Sequence, residues 1–289
     1  MPALAPLEAA PRADVARWFG EVTEGLAAGR LAPYLGPALT ALGETPVPAT
    51  YEALAGFLGS KVPLPRRALG NLWAAAQFIE SRRHRSTLVS LLAEAFATPV
   101  APLPFHRFLA GLPLPMIVDT WYDGAMRTAL GATARGDWGE IQGITRATIG
   151  EDGWTRPYGA DGARAPAGAV PGWKTLLYKP HGAVTPDRNF LAADSDYVET
   201  LTEIDIQTPI PDAVKARRAE VGFVFIGCRF HDQLLRTYAR QIAKRSGGPH
   251  YVVVEPAGLT RNERRFLDEL HMRPLVAPLG DVLGRLVSR

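Results

Sequence analysis

Hydrophobic positions recur with two different periods along this chain. Over residues 12–30, Val15, Trp18, Phe19, Val22 and Leu26 fall at three- and four-residue steps. This predicts an amphipathic helix that Gly29 can end. Residues 31–50 are interrupted by Pro33, Pro37, Pro46 and Pro48 and read as an irregular loop. Thr50 is placed to cap a helix over 51–59, with Glu52 in its first turn, where the amide dipoles favour an anion. The longest helical pattern covers 66–97 with a break around 81–86, and a short helix between prolines follows at 104–112. Residues 116–118 then form an apolar run expected as a buried strand, with a helix after it over 123–130.

The second half is simpler, apart from residues 131–172. That stretch is rich in Gly, Ala and Thr, and reads as an irregular insertion with a strand candidate at 144–149. Strand patterns resume at 175–179, and a helix is expected from about 193. A further helix covers 211–220. Apolar runs at 221–226, 251–254 and 273–279 then alternate with helical patterns over 231–245 and 261–271. Apolar strands separated by helices predict an α/β fold: a mostly parallel sheet with helices on both faces, plus helical and loop insertions. We expect a single domain over 1–289, with 131–172 as an insertion within it.

Composition narrows the picture. Hydrophobic residues make up 47% and charged residues 21%, the balance of a soluble globular protein, and the net charge is only +3. The basic clusters at 82–85 and 215–218 are short and sit on helical patterns, so no nucleic-acid footprint is expected. No apolar run approaches the roughly 18 residues of a membrane span, and the start carries no secretory pattern; the expected location is cytoplasmic. One cysteine, Cys228, excludes an internal disulfide and a cysteine-rich zinc site.

Candidate chemistry lies at three strand ends, because open parallel sheets bind ligands beyond the carboxyl ends of their strands. These ends are residues 119–123, 179–182 and 227–232. Asp123 and Asp232 either cap the helices that follow or take part in chemistry. Trp121 and Tyr122 either fill a pocket or stack on a planar ligand. Lys179 reaches either a phosphate or solvent. Cys228 is either buried and inert or activated by Arg229 and a helix start. The spacing of Cys228, His231 and His181 matches no metal pattern.

Taken in order, these features resemble the Sir2-like domains, a divergent bacterial branch related to sirtuins. The family's short helix with a histidine is matched at His106. Its Thr-x-Asn-x-Asp junction is matched by Thr120 and Asp123, with Trp121 and Tyr122 between them and no asparagine. Its His-Gly strand end resembles His181-Gly182, its later glycine and helix-opening aspartate resemble Gly227 and Asp232, and 194–201 resembles its acidic-Tyr helix start. Its glycine-rich phosphate loop is similar to Gly36-Pro37-Ala38-Leu39-Thr40, where Ala38 replaces a glycine and Pro37 removes an amide donor.

The resemblance implies a Rossmann-like fold with NAD or a related adenine nucleotide as ligand. It implies catalytic roles for His181, Asp123 and Thr120. Contacts to the nucleotide would come from Gly36, Thr40, Trp121, Tyr122, Lys179, Gly182, Gly227, Cys228 and Arg229. Deacylation is disfavoured, since one cysteine cannot supply the Cys-x-x-Cys pairs of the sirtuin zinc module. The reading is a degenerate nucleotide-binding module with a regulatory or assembly role, joined to a protein partner or a second copy. The alternatives are an NAD glycohydrolase releasing nicotinamide and ADP-ribose, and a structural interaction module.

Overall fold

Strands buried on both faces dictate this architecture. In the computed structural model, which describes residues 12–145, 153–197, 210–256 and 258–288, successive strand residues enter two separate cores. Leu31 and Leu35 of β1 (Leu31–Leu35) and Val224 and Ile226 of β8 (Gly222–Ile226) pack on one side. Ala32, Tyr34, Phe223 and Phe225 pack on the other. A period of two with both faces apolar is what a sheet covered by helices on each side requires.

The remaining strands of the main sheet are β2 (Met116–Asp119), β3 (Trp138–Gly143), β4 (Thr155–Gly159), β5 (Thr175–Lys179), β9 (His250–Val254) and β10 (Met272–Val276). Their order is β10-β9-β8-β1-β2-β5-β3-β4. Every pairing is parallel except β3 with β4. The short β6 (Gly182–Ala183) and β7 (Asn189–Phe190) make an antiparallel hairpin beyond β5. One face is covered by α1 (Arg12–Ala27), α5 (Pro104–Gly111), α6 (Ala125–Gly131) and α10 (Leu279–Val287). The other carries α2 (Tyr51–Lys61), α3 (Leu72–Arg83), α4 (Arg85–Ala95), α7 (Asp212–Arg218), α8 (Gln233–Ala243) and α9 (Arg261–Glu269). This is the expected Rossmann-like α/β arrangement. No described helix is long and apolar enough to cross a membrane.

Local signals behave as their chemistry requires. Thr50 caps α2 by accepting the Ala53 N–H at 3.0 Å. The expected break inside 66–97 falls at His84, whose φ of 75° separates α3 from α4. Two expectations fail. Residues 31–35, read as loop because of Pro33, are the central strand β1. Its ladder to β2 begins at Tyr34, one residue past the proline, so the missing N–H interrupts little.

The segment 131–172, read as an irregular insertion, supplies β3 and β4 to the main sheet. Its strand is disguised by buried Glu140 and Gln142. Glu140 pairs with Arg127, and Gln142 bonds Glu140 and Asn189. Most of the strand candidate at 144–149 lies outside the described residues, as does the continuation of the helix that starts at 194.

Candidate functional site

Sheet register assembles the site. Leu35 pairs with Asp119 on β2 and with Ile226 on β8, while Val118 pairs with Tyr178 on β5. The next residues of each strand therefore emerge side by side at one edge. The chain runs from β1 out to β2 and later returns to β8 on the opposite side of β1, which makes this edge the switch point where such folds bind ligands.

Polar groups here are spent on one another. Lys179, almost fully buried, places Nζ 2.7 Å from Asp119 Oδ2 and donates to the Asp123 carbonyl at 2.8 Å. Burial pushes the Asp119 carboxyl up to about 6, against the pull of Lys179. Asp123 accepts the Thr40 hydroxyl at 2.6 Å on one oxygen and the Ala125 N–H at 2.9 Å on the other. The Thr120 hydroxyl donates to the Leu35 carbonyl at 2.8 Å. Lys179 thus reaches a carboxylate, and Asp123 opens the turn into α6 while holding the Thr40 loop.

His181 is also buried, and its Nδ1 lies 2.9 Å from the Tyr197 hydroxyl. That hydroxyl also lies 3.1 Å from the Leu191 carbonyl, an arrangement that accommodates an Nδ1–H tautomer with Nε2 unprotonated. Nε2 has no hydrogen-bond partner among the described residues. Burial, with Lys179 nearby, lowers the imidazole to about 3, so it is neutral at physiological pH. Gly182 turns the chain at φ 77°, where a Cβ would meet the Asn189 carbonyl at 2.2 Å.

The cavity between these strand ends holds only about 10 Å³, the room of one water at most. Gly36, Thr120, His181, Cys228 and Arg229 line it, with Tyr51 and Phe230 among the rings that narrow it. Tyr51 stacks on Trp73 at 5.2 Å, and Tyr238 lies 4.8 Å from His181. Trp121 meets Tyr51 and Phe96 edge-on and donates Nε1–H to the Pro48 carbonyl at 3.0 Å. The Tyr122 hydroxyl donates to Leu191 at 2.6 Å. Both residues are core, occupying space rather than facing a cavity.

The glycine loop is sewn to the neighbouring strand end. The Gly36 N–H donates to Ile226, the Ala38 N–H to Gly227, and Pro37 has none to offer. A Cβ on Gly36 would sit 2.3 Å from the Gly227 carbonyl. Gly227 itself adopts φ 68° against Leu39. Burial pushes the Cys228 thiol up, the opposite of activation. Arg229 forks onto the buried Glu263 at 2.8 and 3.1 Å, and Glu263 also closes a capping box with Thr260. As the loop stands, its amides and the cavity do not fit a dinucleotide, which needs several hundred Å³.

Structure therefore brings all the sequence-named residues to one edge, and divides them into core, turn and cavity lining. Tyr51 and Glu263 were not singled out. The Thr260-x-x-Glu263 spacing could have flagged the glutamate, whereas no local signal marks Tyr51 as a wall. His106, on α5, accepts the Leu103 N–H at 3.0 Å, and burial lowers it to about 4. Among the described residues no group of His, Cys, Asp or Glu is placed to hold a metal ion. In comparison with known families, residues 115–275, more than half of the chain, match the model of the SIR2-like domain. No curated protein matches the chain.

Proposed function

Since the chain belongs to the SIR2-like family, we propose that it is a degenerate nucleotide-binding module acting through regulation or assembly, not through steady turnover of NAD. The observation that carries this reading is the filled switch-point crevice. About 10 Å³ remains where a ligand would sit, with rings of Tyr51 and Phe230 against it and the loop amides consumed. Trp121 stands where the family has asparagine, and indole offers one donor in place of a carboxamide's two donors and acceptor. NAD or a related adenine nucleotide remains the leading ligand by kinship, and it would enter only with displacement of these rings.

A second reading, an NAD glycohydrolase, is favoured by one feature: the buried, unpartnered Nε2 of His181, which lines the same cavity as Thr120. Nicotinamide release measured by chromatography on purified protein with NAD separates the two. The degenerate reading expects no sustained release, alongside weak or no calorimetric binding of NAD and ADP-ribose. Sustained release that disappears in His181→Ala would establish the glycohydrolase instead.

A further inference from the structure

A second and larger pocket opens on the same strand-to-helix turn. It holds about 420 Å³, within the range of small-molecule sites, and lies between the end of α4, the turn at Asp123 and the loop of the β6–β7 hairpin. Phe96 and Val184 give it apolar walls. Thr98, Thr128 and Thr185 line it with hydroxyls that have no protein partner among the described residues, and Arg188 supplies a guanidinium that is likewise unpaired. Asp123 also lines it, but both of its oxygens already accept, from Thr40 and from the Ala125 N–H.

The loop that carries Arg188 is pinned on both sides. Val184 N–H donates to the Tyr122 carbonyl at 2.9 Å, and the Thr185 carbonyl accepts Gln142 at 2.6 Å. Asp187 accepts Tyr158 at 3.0 Å and Arg164 at 2.9 Å, while Asn189 bonds Gln142 and Tyr158 at 2.8 Å each. Arg188 between them adopts φ 54°, a left-handed conformation that an arginine holds at a cost and a glycine does not. Arg188 and the three threonines are exposed and line the same pocket from separate elements, so a guanidinium and several hydroxyls are available to an anion that enters it.

We propose that this pocket binds a small organic anion, its charged head on Arg188 and the threonine hydroxyls and its apolar body against Phe96 and Val184. Binding there needs no nucleotide in the switch-point crevice. Calorimetric titration tests it, with phenyl phosphate as the anion and benzyl alcohol as its uncharged counterpart, on the full chain and on Arg188→Gly. Glycine accepts φ 54° without strain, so this variant removes the charge and keeps the loop. Saturable phenyl phosphate binding is expected, weakened at least about tenfold in Arg188→Gly and about tenfold for benzyl alcohol, with the variant's melting temperature unchanged or raised. The proposal is overturned if phenyl phosphate fails to saturate by about 10 mM. It is equally overturned if Arg188→Gly or benzyl alcohol binds as well.

Discussion

Trp121 is packed as core at the junction between β2 and α6. Its ring lies 5.2 Å from Tyr51, 5.6 Å from Phe96 and 5.3 Å from Tyr122, and its indole N–H is satisfied by Pro48. Replacing it with asparagine would delete that packing and place a carboxamide among rings. Trp121→Asn is expected to lose about 3–5 kcal/mol of stability in urea denaturation, the range for truncating a buried large aromatic. A loss below about 1 kcal/mol would mean the indole is not part of the core. Because Trp121 packs behind Tyr51, which lines the crevice, the variant should also let that ring move back, and calorimetry with NAD should show tighter binding than in the native protein.

Among the elements, the contact between the ends of β1 and β8 decides the shape of the crevice. Gly36 is required there by close approach: a Cβ would stand 2.3 Å from the Gly227 carbonyl and 2.7 Å from Cys228 Cα, both backbone atoms. Gly36→Ala must therefore push the two strand ends apart, and is expected to cost about 1–3 kcal/mol. The cost should be measurable by chemical denaturation without any nucleotide, because the steric conflict is internal to the fold. An alanine variant as stable as the native chain would mean that the loop is free to move away from β8, and would reopen it as a phosphate cradle.

Three buried titratable groups near the site, His181, His106 and Asp119, contribute to the pH response of the whole molecule, beside His250, which burial also lowers. His181 and His106 are lowered from 6.5 to about 3 and about 4, so the unfolded chain binds their protons first and acid favours unfolding. Their contribution is complete above about pH 6.5 and is lost as pH falls toward those values. Asp119 is raised from 3.8 to about 6, so it works in the opposite direction, holding a proton in the fold between those values. Among these three, two protons resisted against one retained leave a net of one, a slope of about 1.4 kcal/mol per pH unit between roughly pH 4 and 6, and His250 adds in the same direction. Urea midpoints at pH 5, 6 and 7 should therefore rise with pH between 5 and 6. His181→Phe, by removing one of the resisted protons, should flatten that rise, and an unchanged slope in it would contradict a buried neutral imidazole.

Periodicity and apolar runs by themselves determined the α/β class, the helices, most strands and the three polar strand ends that meet at one edge. Those features depend on local chemistry: burial of alternate residues, caps such as Thr50, and runs such as 221–226. Spacing likewise placed Thr120, Asp123, His181 and Gly227 beyond strands, and the register then brought them together. Tertiary structure alone decided the rest. Pro33 hid a central strand because a proline's missing donor matters only where a neighbouring ladder needs it. Glu140 and Gln142 hid another, because buried polar residues look exposed until their partners, Arg127 and Asn189, are known. The closing of the crevice was equally invisible. It depends on Tyr51 and Phe230, which line the space, and on Trp121 and Tyr197, which pack behind Tyr51 and against His181, all separated in sequence, and a cavity's volume belongs to no single stretch of chain.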